Sequence, residues 1–190
     1  MLKEILVNLN WVDILTGCIL VRCIYSGVKK GLVFELFKWL GMLFATFIAI
    51  HYYVRLALSL QHLVMLPTVM GEPLAFIFLW LMVVGIFKLI RDGWMIILKV
   101  EPTGAVQKWG GLILAFPRAA LISGLILILI FIIGHPFLTK GVRNSLSGFP
   151  LARLSIRIYE GSFNLVVSKL FLGEKKNEKT SQFKDMLKAR

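Results

Sequence analysis

Charged residues and cysteines are scarce in this chain of 190 residues. Only 17% of the residues are charged and two are cysteines, whereas soluble globular proteins contain about 25% charged residues. With 58% hydrophobic residues and a mean hydropathy of +0.81, the chain has too little polar surface to cover a water-soluble core of this size. The same composition excludes an intrinsically disordered chain. The sequence therefore predicts an all-α integral membrane protein.

Residues that carry chemistry in enzymes are also sparse. His51, His62 and His135 lie in different segments, without the paired His or carboxylate spacing that would hold a metal ion. No nucleophile elbow, phosphate-binding glycine loop or Cys–His arrangement occurs in the sequence. We therefore expect a protein that is not an enzyme, with no catalytic, cofactor-binding or metal-binding residues and no cofactor.

Four long apolar segments predict a bundle of four transmembrane helices over residues 11–28, 32–54, 74–98 and 108–133. Each segment is close to the roughly 20 residues that cross a bilayer. We expect a connection over residues 55–71, with Pro73 opening the third helix. The bundle would occupy residues 1–134, followed by an amphipathic interfacial segment at 135–172 and a mobile basic tail at 173–190.

The basic residues follow the alternation of the spans. If the four helices cross in turn, one side of the membrane receives three acids and nine basic residues: Arg22, Lys29, Lys30, Lys38, Lys88, Arg91, Lys99, Lys108 and Arg118. Short loops rich in Lys and Arg stay in the cytoplasm. We therefore expect the loops at 29–31 and 99–107 to be cytoplasmic and the C-terminal tail to lie outside, although the tail is itself basic.

The basic residues inside the spans allow two interpretations. Arg22, Lys88, Arg91 and Arg118 could line the basic vestibule of a small oligomeric channel or transporter, because charges within a membrane are functional candidates. Alternatively, their long side chains could extend to the headgroups from one or two turns inside the bilayer. Their common location on one side of the membrane favours the second interpretation.

Glycines at helical spacing also have two explanations. Gly27 and Gly31 lie at the boundary between the first two spans, where a flexible turn is favoured over close helix packing. Gly110, Gly111 and Ala115 lie within the fourth span and are the better candidates for helix packing.

Two stretches combine glycines and charges at fixed spacing. In the first, from Tyr25 to Leu36, a basic Gly-x-x-x-Gly turn precedes an acid at the start of the second span, and a further acid opens the first span. The second stretch runs from Val106 to Ala119. Together they resemble the colicin V production (CvpA) family, and the residues that carry the resemblance are Asp13, Gly27, Lys30, Gly31, Glu35, Gly110 and Arg118.

The resemblance covers about residues 10–133 and has departures. Gln107 stands where the family commonly has Asp, and Ala115 and Ala119 stand where it commonly has Gly. The resemblance implies a bacterial inner-membrane protein with four helices, linked to the production or export of colicin V-like peptide toxin. We expect it to assist toxin export or envelope maintenance through contacts with partners.

The expected partners are the lipid bilayer with its anionic headgroups, and a second copy of the chain or other envelope proteins. Nucleic acid is not expected as a partner, because the interleaving of aromatic and basic residues typical of RNA-binding surfaces is missing. Two other functions stay open at this point. One is the channel described above, and the other is a membrane anchor for a binding function carried by the tail.

Overall fold

The computed structural model of the protein describes residues 10–64, 67–98, 104–164, 177 and 179. These residues form six α-helices, and within the same ranges no strand occurs. The helices are α1 (Trp11–Lys30), α2 (Leu32–Val64), α3 (Thr68–Leu98), α4 (Ala105–Ile133), α5 (Pro136–Asn144) and α6 (Gly148–Ser162). The all-α class predicted from composition is confirmed.

Helices α1 to α4 are each long and apolar enough to cross a membrane. The shortest, α1, has 20 residues, which at 1.5 Å per residue span about 30 Å, the thickness of the hydrocarbon core. Large apolar side chains on the outside of the bundle are exposed, among them Val21, Leu81, Leu89 and Ile113. Such surface is compatible with lipid as the surrounding solvent, and the protein is a multi-pass membrane protein.

Helices α2 and α3 extend beyond the predicted spans. Most of the predicted connection at 55–71 is helical, and Pro73 lies inside α3 and does not open it. The N–H groups of Met70 and Gly71 instead donate to the carbonyl of Pro67, at 3.0 and 3.1 Å. The prediction about Pro73 was wrong because Glu72 and Pro73 have the sequence pattern of a helix start but lie inside α3. A helix can continue past the hydrocarbon, and a proline near its start removes only one backbone hydrogen bond.

Helix α4 is the centre of the bundle. It packs against α1, α2 and α6, whereas α2 packs most extensively against α3. Leu121, Leu125 and Ile128 of α4 are almost completely buried, and so is Tyr53 of α2. These side chains belong to one continuous apolar cluster, so α4 connects the first span to the second.

After α4 the chain turns back onto the bundle. Gly134 ends α4 in the left-handed conformation, with φ of 69°, and α6 then packs against α4 where Gly124 leaves room for Ser155. The Tyr159 hydroxyl lies 3.0 Å from His51 Nδ1 and accepts a hydrogen bond from the N–H of Asn177 at 3.1 Å. The described part of the segment expected to be amphipathic, residues 135–164, thus contains two helices, and α6 has a buried face.

The placement of residues 135–172 in the membrane interface stays a prediction. The mobile basic tail expected at 173–190 lies outside the described residues, except for Asn177 and Lys179. Lys179 forms an ion pair with Glu72 near the start of α3.

The helix ends that meet at each end of the bundle are those expected if the four helices cross the membrane in turn. The end of α1 and the starts of α2 and α4 meet at one end, which also receives the second half of α3; we call this the basic end, defined by Lys38, Lys88, Arg91 and Arg118. Asn177 donates to the carbonyl of Ile50 at 2.7 Å, towards the other end. The described tail residues therefore lie away from the basic end.

We expect Gly27→Ala to lower the stability of the bundle. A Cβ atom at Gly27 would lie 2.5 Å from the carbonyl oxygen of Gly111 and 2.9 Å from Cβ of Ala115. Overpacking of this kind costs about 1–3 kcal/mol, so the melting temperature in detergent should fall. Gly17→Ala in the same helix is the matched control, because a Cβ there meets no atom within 4 Å. Equal melting of the two variants would contradict the close packing of α1 on α4.

Candidate functional site

A buried carboxylate lies where α1, α2 and α4 meet. Glu35 is 0% exposed although it belongs to a predicted membrane span. The turn before it explains its position: Gly31 has φ of 83°, which a glycine adopts without strain, and its N–H donates to the carbonyl of Gly27 at 3.1 Å. The N–H of Glu35 in turn donates to the carbonyl of Gly31 at 3.2 Å. The turn therefore directs the first turns of α2 back towards α1.

Two cations bind the two oxygens of this carboxylate. Arg118 Nη1 lies 2.6 Å from Glu35 Oε2, and Lys38 Nζ lies 2.6 Å from Glu35 Oε1. Lys38 also donates to the Ser26 hydroxyl at 2.9 Å, and that hydroxyl donates to Glu35 Oε1 at 3.3 Å. Arg118 Nη2 donates to the carbonyl of Cys23 at 3.4 Å. We call Ser26, Glu35, Lys38 and Arg118 the Glu35 network.

The Glu35 network can form because α1, α2 and α4 approach each other closely. A Cβ at Gly111 would collide with the carbonyl of Gly27 and would lie 3.0 Å from the carbonyl carbon of Gly31. Gly110 faces Leu32 of α2 with similarly little room. Small residues let helices approach in lipid, and here they bring Arg118 of α4 within reach of α1 and α2.

The structure brings together five of the seven residues that carry the family resemblance, namely Gly27, Gly31, Glu35, Gly110 and Arg118. It departs from two interpretations drawn from the sequence. Arg118 is 7% exposed and bonded inside the bundle, so its side chain does not extend to the headgroups. Gly27 lies within α1 and packs on α4, whereas the turn is made at Gly31. The sixth residue, Lys30, is exposed at the end of α1 and outside the Glu35 network.

The seventh residue, Asp13, lies at the opposite end of α1. Its carboxylate accepts hydrogen bonds from the N–H and hydroxyl of Ser147, at 2.9 and 2.6 Å, and from the N–H of Asn10 at 3.3 Å. The Thr16 hydroxyl lies 2.8 Å from that of Ser147. Ser147 immediately precedes α6, so Asp13 connects the first span to the helix that follows the fourth. No sequence pattern indicated Ser147, which lies 134 residues from Asp13 and outside the two stretches that resemble the family.

A cavity of about 210 Å³ lies between α2, α3 and α4 at the basic end. Lys38, Lys88, Arg91 and Arg118 line it. The structure thus assembles three of the four residues that the sequence suggested for a basic vestibule. The fourth, Arg22, is exposed on α1 and does not line the cavity.

The cations around this cavity differ in their partners. Arg91 donates from Nε and Nη2 to Asp92 Oδ1, at 2.9 and 2.6 Å, and its guanidinium lies 5.5 Å from the ring centre of Phe34. The pairing of Lys88 with Asp92 that their spacing suggests is not formed. Within the described ranges, no hydrogen bond or ion pair involves Lys88. The same ranges contain no group of three or more His, Cys, Asp or Glu side chains that could hold a metal ion.

The fold and this site define a four-span integral membrane protein with a charged network buried between its helices. The family model described as colicin V production protein matches residues 12–154. The chain therefore belongs to the colicin V production (CvpA) family, which confirms the resemblance drawn from the sequence. No curated protein and no solved structure matches the chain. The match extends past α4, so both Asp13 and Ser147 lie inside the family region.

We expect Glu35→Gln to destabilise the protein strongly, because it leaves Arg118 and Lys38 beside a neutral amide inside the bundle. Removing one partner of a buried ion pair costs about 3–5 kcal/mol. The double variant Glu35→Gln/Arg118→Gln should regain part of that loss, because it also removes the uncompensated buried charge. Thermal unfolding in detergent measures both. Asp92→Asn is the control, since this exposed carboxylate is 50% accessible and such pairs contribute little. Equal losses for Glu35→Gln and Asp92→Asn would contradict the network.

We expect Asp13→Asn to loosen the connection between α1 and α6. An amide cannot accept the Ser147 bonds as a charged carboxylate does, and a bond to a charged group contributes about 1.5–3 kcal/mol. Limited proteolysis should therefore cut faster near Leu146, which is 62% exposed between α5 and α6. Thr139→Ala is the control in the same segment, because that hydroxyl bonds only to carbonyls of its own helix start. Unchanged cleavage of the Asp13 variant would argue against this connection.

Proposed function

We propose that the protein is a non-enzymatic inner-membrane component that assists the production or export of colicin V-like peptide toxin, or the maintenance of the envelope. It acts through contacts with other envelope proteins or with a second copy of itself. The observation that carries this proposal is the family match over residues 12–154 of 190. The four apolar helices support the membrane location.

The geometry of the buried site favours a supporting role over catalysis. Both oxygens of Glu35 are bound by cations at 2.6 Å, so this carboxylate is occupied and unsuited to abstract a proton from a substrate. Buried charges that pair across helices in this way favour one arrangement of those helices. The exposed apolar faces, such as Ile14 and Val21 on α1, provide surface for neighbouring membrane helices.

The test of this function is deletion and complementation in a host that secretes a colicin V-type peptide. Deletion should lower the toxin activity in the medium or the survival under envelope stress, and the wild-type gene and Gly17→Ala should restore it. Glu35→Gln should restore it poorly, with the amount of protein in the membrane measured alongside. If deletion changes neither toxin export nor stress tolerance, the proposal fails. Anion flux through liposomes that carry the purified protein would favour a small channel instead.

We also propose that the basic end faces the cytoplasm, because loops rich in Lys and Arg are retained there. Single cysteines at Lys30 and Asn144, in a background without Cys18 and Cys23, would test this orientation. Both positions are exposed, and they lie at the ends of α1 and α5. An impermeant thiol reagent should label the Asn144→Cys variant from outside, and the Lys30→Cys variant only after the inner membrane is opened. The reverse pattern would invert the orientation.

A further inference from the structure

The cavity at the basic end has the size of a small anionic group. Its volume of about 210 Å³ is far above the ~10–15 Å³ that one water molecule needs. It also exceeds the roughly 150 Å³ of an engineered cavity that takes up benzene. A phosphate group, with five heavy atoms against the six of benzene, therefore fits.

The charge around the cavity is unbalanced. Four basic side chains line it, Lys38, Lys88, Arg91 and Arg118, and the carboxylates bonded to them are Glu35 and Asp92. Glu35 is shared between two cations, and Asp92 is half-exposed. The group as a whole thus carries an excess of two positive charges, which an anion in the cavity would balance.

Two of the basic side chains that line this cavity have donors without a partner in the described part of the chain. Arg118 is more than nine-tenths buried, and its Nε has no hydrogen-bond partner in the described part of the chain. Lys88, on the neighbouring α3, makes no ion pair there either. At 1.5 Å per residue, Arg118 lies about 20 Å along α4 from Ala105, and Lys88 about 15 Å from the end of α3 at Leu98. Cations this far from helix ends are costly in a membrane unless they are paired.

The other walls of the cavity are apolar and include Phe37, Met42, Val84 and Phe87. Apolar walls lower the local dielectric constant and strengthen the attraction between a cation and a bound anion. They also suit a ligand in which a charged group continues into a hydrocarbon chain. Both properties are those of a phospholipid headgroup held against basic residues between helices.

We propose that this cavity binds a phosphate group, with Lys88 and Arg118 as its main ligands and with Lys38 and Arg91 contributing positive charge. The group comes either from an anionic phospholipid or from free phosphate. The site depends on Lys88, which lies outside the Glu35 network, and on Nε of Arg118, which the network does not bond. It is therefore independent of any role in toxin export, and its test uses the purified protein alone.

The experiment compares Lys88→Gln with the matched control Arg22→Gln. Lys88 and Arg22 are both exposed basic residues, but only Lys88 lines the cavity. Native mass spectrometry of protein in detergent would count bound phosphatidylglycerol, with phosphatidylcholine as the neutral comparison. Titration of delipidated protein with inorganic phosphate would follow the melting temperature. We expect the Lys88 variant to bind phosphatidylglycerol or inorganic phosphate at least tenfold more weakly than wild type does. The Arg22 variant should bind the same ligand within a factor of two of wild type.

Each outcome has a defined meaning. Loss of phosphatidylglycerol by the Lys88 variant alone identifies a lipid headgroup as the source of the phosphate. A phosphate-dependent rise in melting temperature that needs Lys88, without lipid selectivity, identifies free phosphate. Equal binding by the Lys88 and Arg22 variants would overturn the proposal. So would a wild type that neither prefers phosphatidylglycerol over phosphatidylcholine nor melts at a higher temperature with inorganic phosphate. Arg118 is not substituted in this test, because its loss would also disturb the Glu35 network.

Discussion

The arrangement of the first, second and fourth spans depends on one buried carboxylate and the two cations that hold it. An ionised Glu35 between helices would be strongly unfavourable in a low-dielectric medium, and so would Arg118 by itself. Their ion pair at 2.6 Å offsets part of both penalties, but only if α2 and α4 stand in one register. Apolar helix surfaces in lipid give little preference among registers. The charged pair therefore supplies specificity more than net stability.

The glycines are the condition under which this pair can form. Gly27 and Gly111 bring the backbones of α1 and α4 together, and Gly31 turns the chain sharply enough to place Glu35 beside them. A Cβ at Gly27 or Gly111 would separate α1 from α4 and move the Cys23 carbonyl away from the Arg118 guanidinium. The small residues and the charges thus belong to one structural unit. The glycines set the distance between the helices, and at that distance Glu35 and Arg118 can form their ion pair.

Much of this architecture could be predicted from the sequence, and the reasons for the gaps are physical. Hydropathy alone located four spans, because each must satisfy its backbone inside hydrocarbon. The pairing of Glu35 with Lys38 follows from helical spacing. The pairing of Glu35 with Arg118 joins separate helices, and no periodicity indicates a partner across a bundle. The sequence did not indicate roles for Ser26 and Ser147, because a single serine looks the same in a sequence whether its hydroxyl is bonded in a site or exposed on a surface. Helix α2 continues past the predicted span because polarity marks the limit of hydrocarbon, whereas helix ends are set by caps and turns.

The proposed topology and the proposed anion site both depend on basic residues at one end of the bundle. Lysines and arginines near the helix ends are favoured there because they hold loops in the cytoplasm, and such residues need no partner when they reach water. Lys88 and Arg118 lie farther inside, on helices packed together with α2 around a common cavity. Lys88 has no bonded carboxylate in the described part of the chain, and Arg118 shares the single charge of Glu35 with Lys38. The proposed orientation and the proposed anion site thus depend on the same positive excess, the first near the helix ends and the second a few turns deeper.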